Sequence, residues 1–290
     1  MSRNASLGAI FTVLAMLGFA SMDALSKLLV VNYSVGQLLW VRYGVFCVFA
    51  WLVVRRRGVR RAFVTRQPVT QIFRALLAVV ESGVFVLAFR YLSLATTHAV
   101  AATSPLIVVA LGVLLLNEKA GLGRWIAIGT SFVGTILIVQ PGFRAFDWPS
   151  MLPLTGAFLW AGYQILLRIC ARTDSPDTTL VWSASVAFIA TTFVGPWQWL
   201  WLDTTGWTLL LGTAVLNALA NYSLIRALDY AEASSIQPYS YTLLVWVTIL
   251  GILIFGDYPS SHVLLGALII VASGIYSWWS DRKAATSATA

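Results

Sequence analysis

Apolar residues fall in ten long runs, each closed by a short polar or charged turn. A helix rising about 1.5 Å per residue needs roughly 20 apolar residues to cross the bilayer core. Runs of that kind lie over 6–28, 34–54, 69–91, 94–116, 122–140, 149–170, 178–198, 206–228, 232–255 and 261–280. The polar breaks at 91–94 and 228–232 are the slightest. Beyond Arg282 the chain is small and polar, and it reads as a frayed tail. The pattern predicts an all-α integral membrane protein with no separate soluble domain.

Composition agrees. The chain is 59% hydrophobic and 10% charged, against about 45–50% and about 25% for soluble domains. This composition argues against an ordinary soluble enzyme and excludes a disordered chain. The net charge of +8 raises nucleic acid as a partner, but the basic residues sit in short connections between apolar runs, where they act as topology signals. One set of ends carries Arg3, Arg55, Arg56, Arg57, Arg60, Arg61, Arg66, Lys119, Arg124, Arg168, Arg172, Arg226, Arg282 and Lys283; the other carries Lys27, Arg90 and Arg144. Both termini are therefore expected in the cytoplasm, with the chain multi-pass in a bacterial inner membrane and lipids around it. Only an even number of spans keeps this alternation. Cys47 and Cys170 lie within apolar runs, so neither a disulfide nor a metal cluster is expected, and no cofactor is called for. The first run is long enough to be a retained helix.

An internal repeat organises the chain. AFRYLSLATTHAVAATSPL (88–106), followed by LLNEK, is echoed by LIRALDYAEASSIQPYSYT (224–242), followed by IFGDY. Arg90 matches Arg226, Ala95 matches Ala231, Ser104 matches Ser240, Glu118 matches Asp257, and Gly134 matches Gly274. The halves are 1–145 and 146–282, with 283–290 as the tail. Five spans per half is odd, so the second copy must enter the membrane inverted. Such repeats place a site at their seam that can be offered to either side.

At these residues the chain resembles the drug/metabolite transporter superfamily in its ten-helix EamA type. The likeness rests on Arg42 in LLWVRYG, Arg74 opening the third span, the A-x-x-Y-L-x-L-A turn at 88–95, Pro105, Asn117-Glu118, Arg124-Trp125, Gly134 and Pro141-Gly142. In the second half it rests on Pro238, Phe255-Gly256-Asp257 and Gly274. The first span, GFASMDALSK, lacks the Trp-Gly often found there. The resemblance implies a basket of helices around a central cavity lined by the third, fourth, eighth and ninth spans with parts of the first and sixth. It also implies export of amino acids or related metabolites.

Charged groups within the spans are the first candidates, because polar groups in hydrocarbon usually face a cavity or a partner. Glu81, seven residues after Arg74, is either a substrate or proton site or an ion pair with Arg42 or Arg74. Arg42 binds a carboxylate or ties the second span to the third. Arg74 reads as a snorkelling side chain. Asp23 and Lys27, four apart, form a local pair unless Asp23 is a coupling acid. His98 titrates near neutral pH or serves as a structural hydrogen-bonding group. Glu118 and Asp257 read as helix-end residues.

Neutral candidates for lining a cavity are Tyr163, Gln164, Asn217, Asn221, Gln237, Tyr239, Tyr241 and Trp246, which suit an amphipathic organic solute or else serve helix packing. Trp197, Trp199, Trp201 and Trp278 read as interfacial belt residues. Pro105 and Pro238 sit in matched spans as gate hinges or static bends. The function expected is alternating-access secondary transport of small metabolites, most plausibly amino-acid export. The rivals are a lipid or lipid-linked-sugar flippase and an intramembrane enzyme. No G-x-x-x-x-G-K-[ST], H-E-x-x-H or G-x-S-x-G motif is present. Oligomeric state is not legible.

Overall fold

The computed structural model describes residues 5–55, 58, 62–116, 122–139, 148–230 and 237–289. Within them the chain is helical, with no strand. The helices are α1 (Ala5–Val30), α2 (Val35–Arg55), α3 (Pro68–Tyr91), α4 (Leu94–Ala101), α5 (Ser104–Leu116), α6 (Leu122–Val139), α7 (Met151–Ala171), α8 (Pro176–Thr192), α9 (Thr204–Tyr230), α10 (Thr242–Phe255) and α11 (Ser261–Thr289). A 3-10 turn, Gln237–Tyr241, leads into α10. Six stretches are long and apolar enough to cross a membrane alone: Ser6–Val30, Val35–Arg55, Pro68–Tyr91, Leu94–Leu115, Trp148–Ala171 and Ser261–Ser280. Trp125–Val139 and Tyr239–Phe255 are shorter apolar helices.

Local chemistry sets the ends. The weak break at 91–94 is a real corner: Ser93 caps α4, its Oγ accepting from the Thr96 N–H at 3.1 Å. Ser175 caps α8 in the same way, with Pro176 in the first turn. Gly256 takes the left-handed conformation (φ 65°) that ends α10, and the Asp257 N–H then bonds back to Gly251 O at 3.1 Å.

The fourth span is not one helix. It breaks at Ala102–Thr103, because Pro105 has no N–H to give Ala101. The break closes locally: the Thr103 N–H bonds Val100 O at 3.1 Å, and the Thr103 hydroxyl meets Thr135 Oγ1 of α6 at 2.9 Å. Pro238 lies in the 3-10 turn that leads into α10. The seventh span stops at Thr192, short of Gly195-Pro196. The tail is not frayed, since α11 continues to Thr289 through an Ala-rich stretch that favours helix.

The helices cross in pairs. α1 lies along α9 and against α10; α7 lies along α3 and against α4 and α5; α2 packs on α8, α6 on α11 and α4 on α10; α3 meets α8, and α2 meets α9. The main core joins Leu29, Leu39, Tyr43, Phe46, Phe89, Leu94, Leu210 and Val247 from six helices. Leu114, Leu122, Leu253 and Leu268 stay exposed, as an apolar exterior facing lipid requires. Trp197 and Trp201 are also exposed, as belt residues would be.

Candidate functional site

Four helices converge on a cluster of opposite charges. Asp23 of α1 and His98 of α4 are both buried, with His98 Nε2 3.0 Å from Asp23 Oδ2. The approach lies off the N–H axis, so Nε2 makes no hydrogen bond to the carboxylate. Phe85 stacks on the imidazole at 6.0 Å and Phe89 tilts against it at 5.8 Å. From α2, Arg42 is 5% exposed. Its guanidinium lies over the Tyr43 ring at 5.5 Å and reaches Met22 Sδ at 3.9 Å.

Glu81 of α3 completes the cluster. It is half-buried and accepts from Ser82 Oγ at 3.4 Å. Arg42 attracts it and Asp23 repels it. Among the described residues no carboxylate lies within 4.0 Å of Arg42 or Arg74, so the ion pairs expected for Glu81 do not form. Arg42 does not tie the second span to the third either. That bond belongs to Tyr43, whose hydroxyl donates to Ala78 O at 3.3 Å or Ser82 Oγ at 3.1 Å.

Arg74 corrects the snorkelling expectation. It is fully buried, and Nη2 donates to Gln71 Oε1 at 2.8 Å, Ser183 Oγ at 2.7 Å and Thr179 O at 3.2 Å. Nη1 reaches Tyr163 Oη at 3.3 Å, and the guanidinium lies over that ring at 5.4 Å. Nε has no partner. The polar face of α8 makes this burial possible, because Thr179 and Ser183 supply acceptors that lipid would not. Gln71, also fully buried, passes the network on to Asp174, donating to Oδ2 at 2.8 Å. Asp174 also accepts from the Thr65 hydroxyl and from the Arg66 N–H at 3.2 Å. Burial alone would raise the Asp174 pKa, but bonds from Thr65, Gln71, Arg66 and Thr173 outweigh it and hold the carboxyl below the ordinary range. Sequence reasoning missed Gln71, Asp174 and Ser183; the available signal was Gln71 three residues before Arg74, on one helix face.

The remaining candidates scatter. Lys27 pairs with Asp257 at 2.6 Å and donates to Leu92 O at 3.2 Å, so the expected Asp23–Lys27 pair is replaced by two long-range contacts. Tyr163 stacks on Trp160 at 5.1 Å, and Gln164 is half-buried beside it. Asn221 spends its amide within α9, on Asn217 O at 2.8 Å and Oδ1 at 3.2 Å. Tyr239 is exposed. Tyr241 lies against Gly274, where an added Cβ would stand 1.7 Å from its hydroxyl. Trp246 packs on the main core with its indole N–H buried and unpartnered. Glu118, Asn117, Ala231 and Pro141-Gly142 lie outside the described residues, as do the side chains of Gln237 and Pro238.

Two cavities open at opposite ends of α2. One, of about 510 Å³, is lined by Tyr33, Leu39, Val79 and Arg90; the other, of about 540 Å³, by Val54, Arg66, Asp174 and Asp177. The charged cluster lies between these ends, along the middle of α2 and α3. Asp23, Arg42, Glu81 and His98 line neither of these two cavities.

A family comparison meets this geometry with a sequence match. The model of the EamA-like transporter family matches residues 6–140 and again residues 148–278. The chain belongs to this family. The EamA-like protein is 30% identical over 285 residues to the riboflavin transporter of Vibrio cholerae, covering 95% of this chain and 94% of that one. It is 26% identical over 220 residues to the S-adenosylmethionine uptake transporter of Rickettsia conorii, covering 76% and 75%. A crystal structure with 17% identity shares the fold, with a TM-score of 0.64 over 94% of this chain and 98% of that one. The chain is thus a multi-pass membrane protein of a transporter family whose relatives carry small metabolites. Neither of these relatives is named for an amino acid, and one is named for uptake, so amino-acid export is not supported.

Proposed function

We propose that this EamA-like protein is a secondary transporter of a planar heterocyclic metabolite, riboflavin foremost, working by alternating access in a bacterial inner membrane. The observation that carries the reading is the buried Arg42 guanidinium, without a carboxylate partner, beside the half-buried Glu81. An isoalloxazine edge alternates carbonyl acceptors with an imide N–H. Such an edge accepts hydrogen bonds from a guanidinium and donates its imide N–H to a carboxylate. The Trp246 indole N–H, buried and unspent, and the Tyr163–Trp160 stack suit an aromatic cargo. The name of the Vibrio relative supports the same cargo.

Alternating access rests on a repeat of 1–145 and 146–282, inverted in the membrane, with 283–290 as a cytoplasmic tail. The crossing pattern supports it: α1 on α9 mirrors α7 on α3, α1 on α10 mirrors α7 on α4 and α5, and α3 on α8 mirrors α9 on α2. Pro105 and Pro238, at matched interruptions, are the hinges. Both termini face the cytoplasm by the distribution of Lys and Arg. Direction is set by gradients, and no catalytic role is assigned.

The test is counterflow of labelled riboflavin into proteoliposomes preloaded with unlabelled riboflavin. Amino acids and S-adenosylmethionine are run in parallel. Riboflavin counterflow above that of protein-free vesicles is expected, with loss of at least about tenfold in Glu81→Gln. Exchange of an amino acid and not of riboflavin overturns the cargo; no exchange of any metabolite overturns transport.

A further inference from the structure

We propose that the cavity beside Arg90 binds an anionic phospholipid, with the lipid phosphate on the Arg90 guanidinium and an acyl chain leaving past the end of α8. The site lies apart from the Arg42–Glu81 cluster and requires nothing of the cargo. Arg90 stands in the last turn of α3 and lines the cavity of about 510 Å³. Its guanidinium is fixed from behind. Nε donates to Val30 O at 2.9 Å, and Nη2 donates to the same carbonyl at 2.6 Å and to Tyr33 O at 3.4 Å. These carbonyls orient the group but cancel no charge. Among the described residues Nη1 has no partner, and no carboxylate lies within 4.0 Å of the side chain. Acids at this end are already engaged: Asp257 holds Lys27 at 2.6 Å, and Asp203 accepts from the Tyr33 hydroxyl at 3.3 Å and from the Gly206 N–H at 2.7 Å. An oriented guanidinium with donors to spare is a preferred partner of phosphate.

The rest of the lining says what carries the phosphate. Asn32 stands exposed at the rim, and Leu39 of α2 and Val79 of α3 are the apolar residues farthest from it. One turn beyond Leu39, the Tyr43 hydroxyl bonds Ser82 Oγ at 3.1 Å or Ala78 O at 3.3 Å, joining α2 to α3 on the side of the charged cluster. Val194 and Leu200 also line the cavity, yet they are 54% and 51% exposed. Phe193, beside Val194, is exposed as well. The apolar lining therefore runs out onto the exterior that faces lipid. A small polar solute gains nothing from such an opening, whereas an acyl chain keeps its apolar surroundings along it. This wall is held firmly. The fully buried Gln37 donates from Nε2 to Leu200 O at 2.8 Å and accepts from the Leu200 N–H at 3.1 Å.

The cavity at the other end of α2 supports the assignment by contrast. It is built from matched parts: the turn after α7 replaces the turn after α1, and the end of α2 replaces the end of α8. Its charged lining residues are Arg66, Asp174 and Asp177, so acids outnumber bases there. The lining around Arg90 contains no acid, and this cavity alone of the two attracts an anion. The same composition selects the headgroup. The ammonium of a phosphatidylethanolamine finds no carboxylate in this lining, whereas a phosphatidylglycerol brings one negative charge and hydroxyls that the Asn32 amide can meet.

Native mass spectrometry of the full-length protein in detergent tests this, with phosphatidylglycerol, phosphatidylethanolamine and glycerol phosphate added in turn and together. A phosphatidylglycerol adduct is expected, at least about fivefold more abundant than that of the ethanolamine lipid. Arg90→Gln keeps a donor for the Val30 carbonyl and is expected to lower the adduct by at least about fivefold. Asn32→Asp leaves Arg90 and its carbonyl contacts in place and sets a carboxylate at the rim. It is expected to lower the adduct with the melting temperature unchanged, a result that a folding defect does not produce. Arg66→Gln, at the matched cavity, is expected to bind the lipid as the wild type does.

An adduct that ignores either Arg90→Gln or Asn32→Asp overturns the site. Equal loss in Arg66→Gln reduces the binding to general surface charge and overturns it too. Equal retention of the two lipids overturns the anionic headgroup. Displacement of the lipid by glycerol phosphate at the same concentration makes free phosphate the ligand and overturns the lipid. The readout needs no cargo, so a failure of riboflavin counterflow leaves this site standing, and loss of the adduct leaves the transporter reading standing.

Discussion

Asp174 stands in the connection between α7 and α8, yet it anchors a network that reaches the fully buried Arg74 through Gln71. Its lowered pKa makes that anchoring pH-dependent. The stabilisation is complete above the unfolded-state value of about 3.9 and is lost as pH falls through the lower folded value. Replacing Asp174 with Asn is expected to cost about 1 kcal/mol at pH 7, with the difference shrinking toward about pH 3 as the wild-type carboxylate protonates. Thermal unfolding in detergent at both pH values reads this; an equal gap at both would show that charge is not its source. Individual residues were the least legible part of the sequence. Position along a helix suggested that Arg74 snorkels, but its burial is decided by Thr179 and Ser183 on another helix. Spacing suggested an Asp23–Lys27 pair, but His98 and Asp257, distant in sequence, claim the two charges.

Elements were far more legible, because apolar run length and proline chemistry act locally. Most spans were placed to within a few residues, but the seventh stops at Thr192 and the α-helix of the ninth begins only at Thr242; Pro105 follows a real break, and Pro238 lies in a 3-10 turn. What the sequence did not disclose is how closely two helices approach. α6 and α11 touch through backbone: a Cβ on Gly134 would lie 2.9 Å from Gly266 O and 2.9 Å from Ile270 Cγ1, and a Cβ on Gly266 would lie 2.7 Å from Gly134 O. Lipid offers no hydrophobic drive for helices to associate, so this close packing is itself the attraction. Gly134→Val is expected to push α6 from α11 and lower stability by about 1–3 kcal/mol. On the same helix, a Cβ at Gly129 would meet nothing within 4 Å, so Gly129→Ala is the control. Comparable melting shifts for the two variants in detergent would place the cost in helix propensity and not in the crossing.

For the whole molecule, the question is whether the two halves run in opposite senses. Lys27 and Arg90, two of the three basic residues assigned to the outer ends, are consumed in tertiary contacts: Lys27 by Asp257, and Arg90 by the carbonyl of Val30 at 2.9 and 2.6 Å. The matched crossings of α1 on α9 and α7 on α3 relate the two halves by exchange and are compatible with that inversion. Asn32 and Thr173, both exposed, occupy the turns after α1 and α7, equivalent places in the two copies. With Cys47 and Cys170 replaced by Ala, single cysteines at these two positions are expected to react with a membrane-impermeant maleimide from opposite faces of intact cells and inverted vesicles, Asn32 from outside and Thr173 from the cytoplasm. Labelling of both from one face would remove the inversion. Two parallel copies would be related by an axis along the membrane normal, and the seam proposed here, with its matched interruptions facing opposite sides, would have to be redrawn.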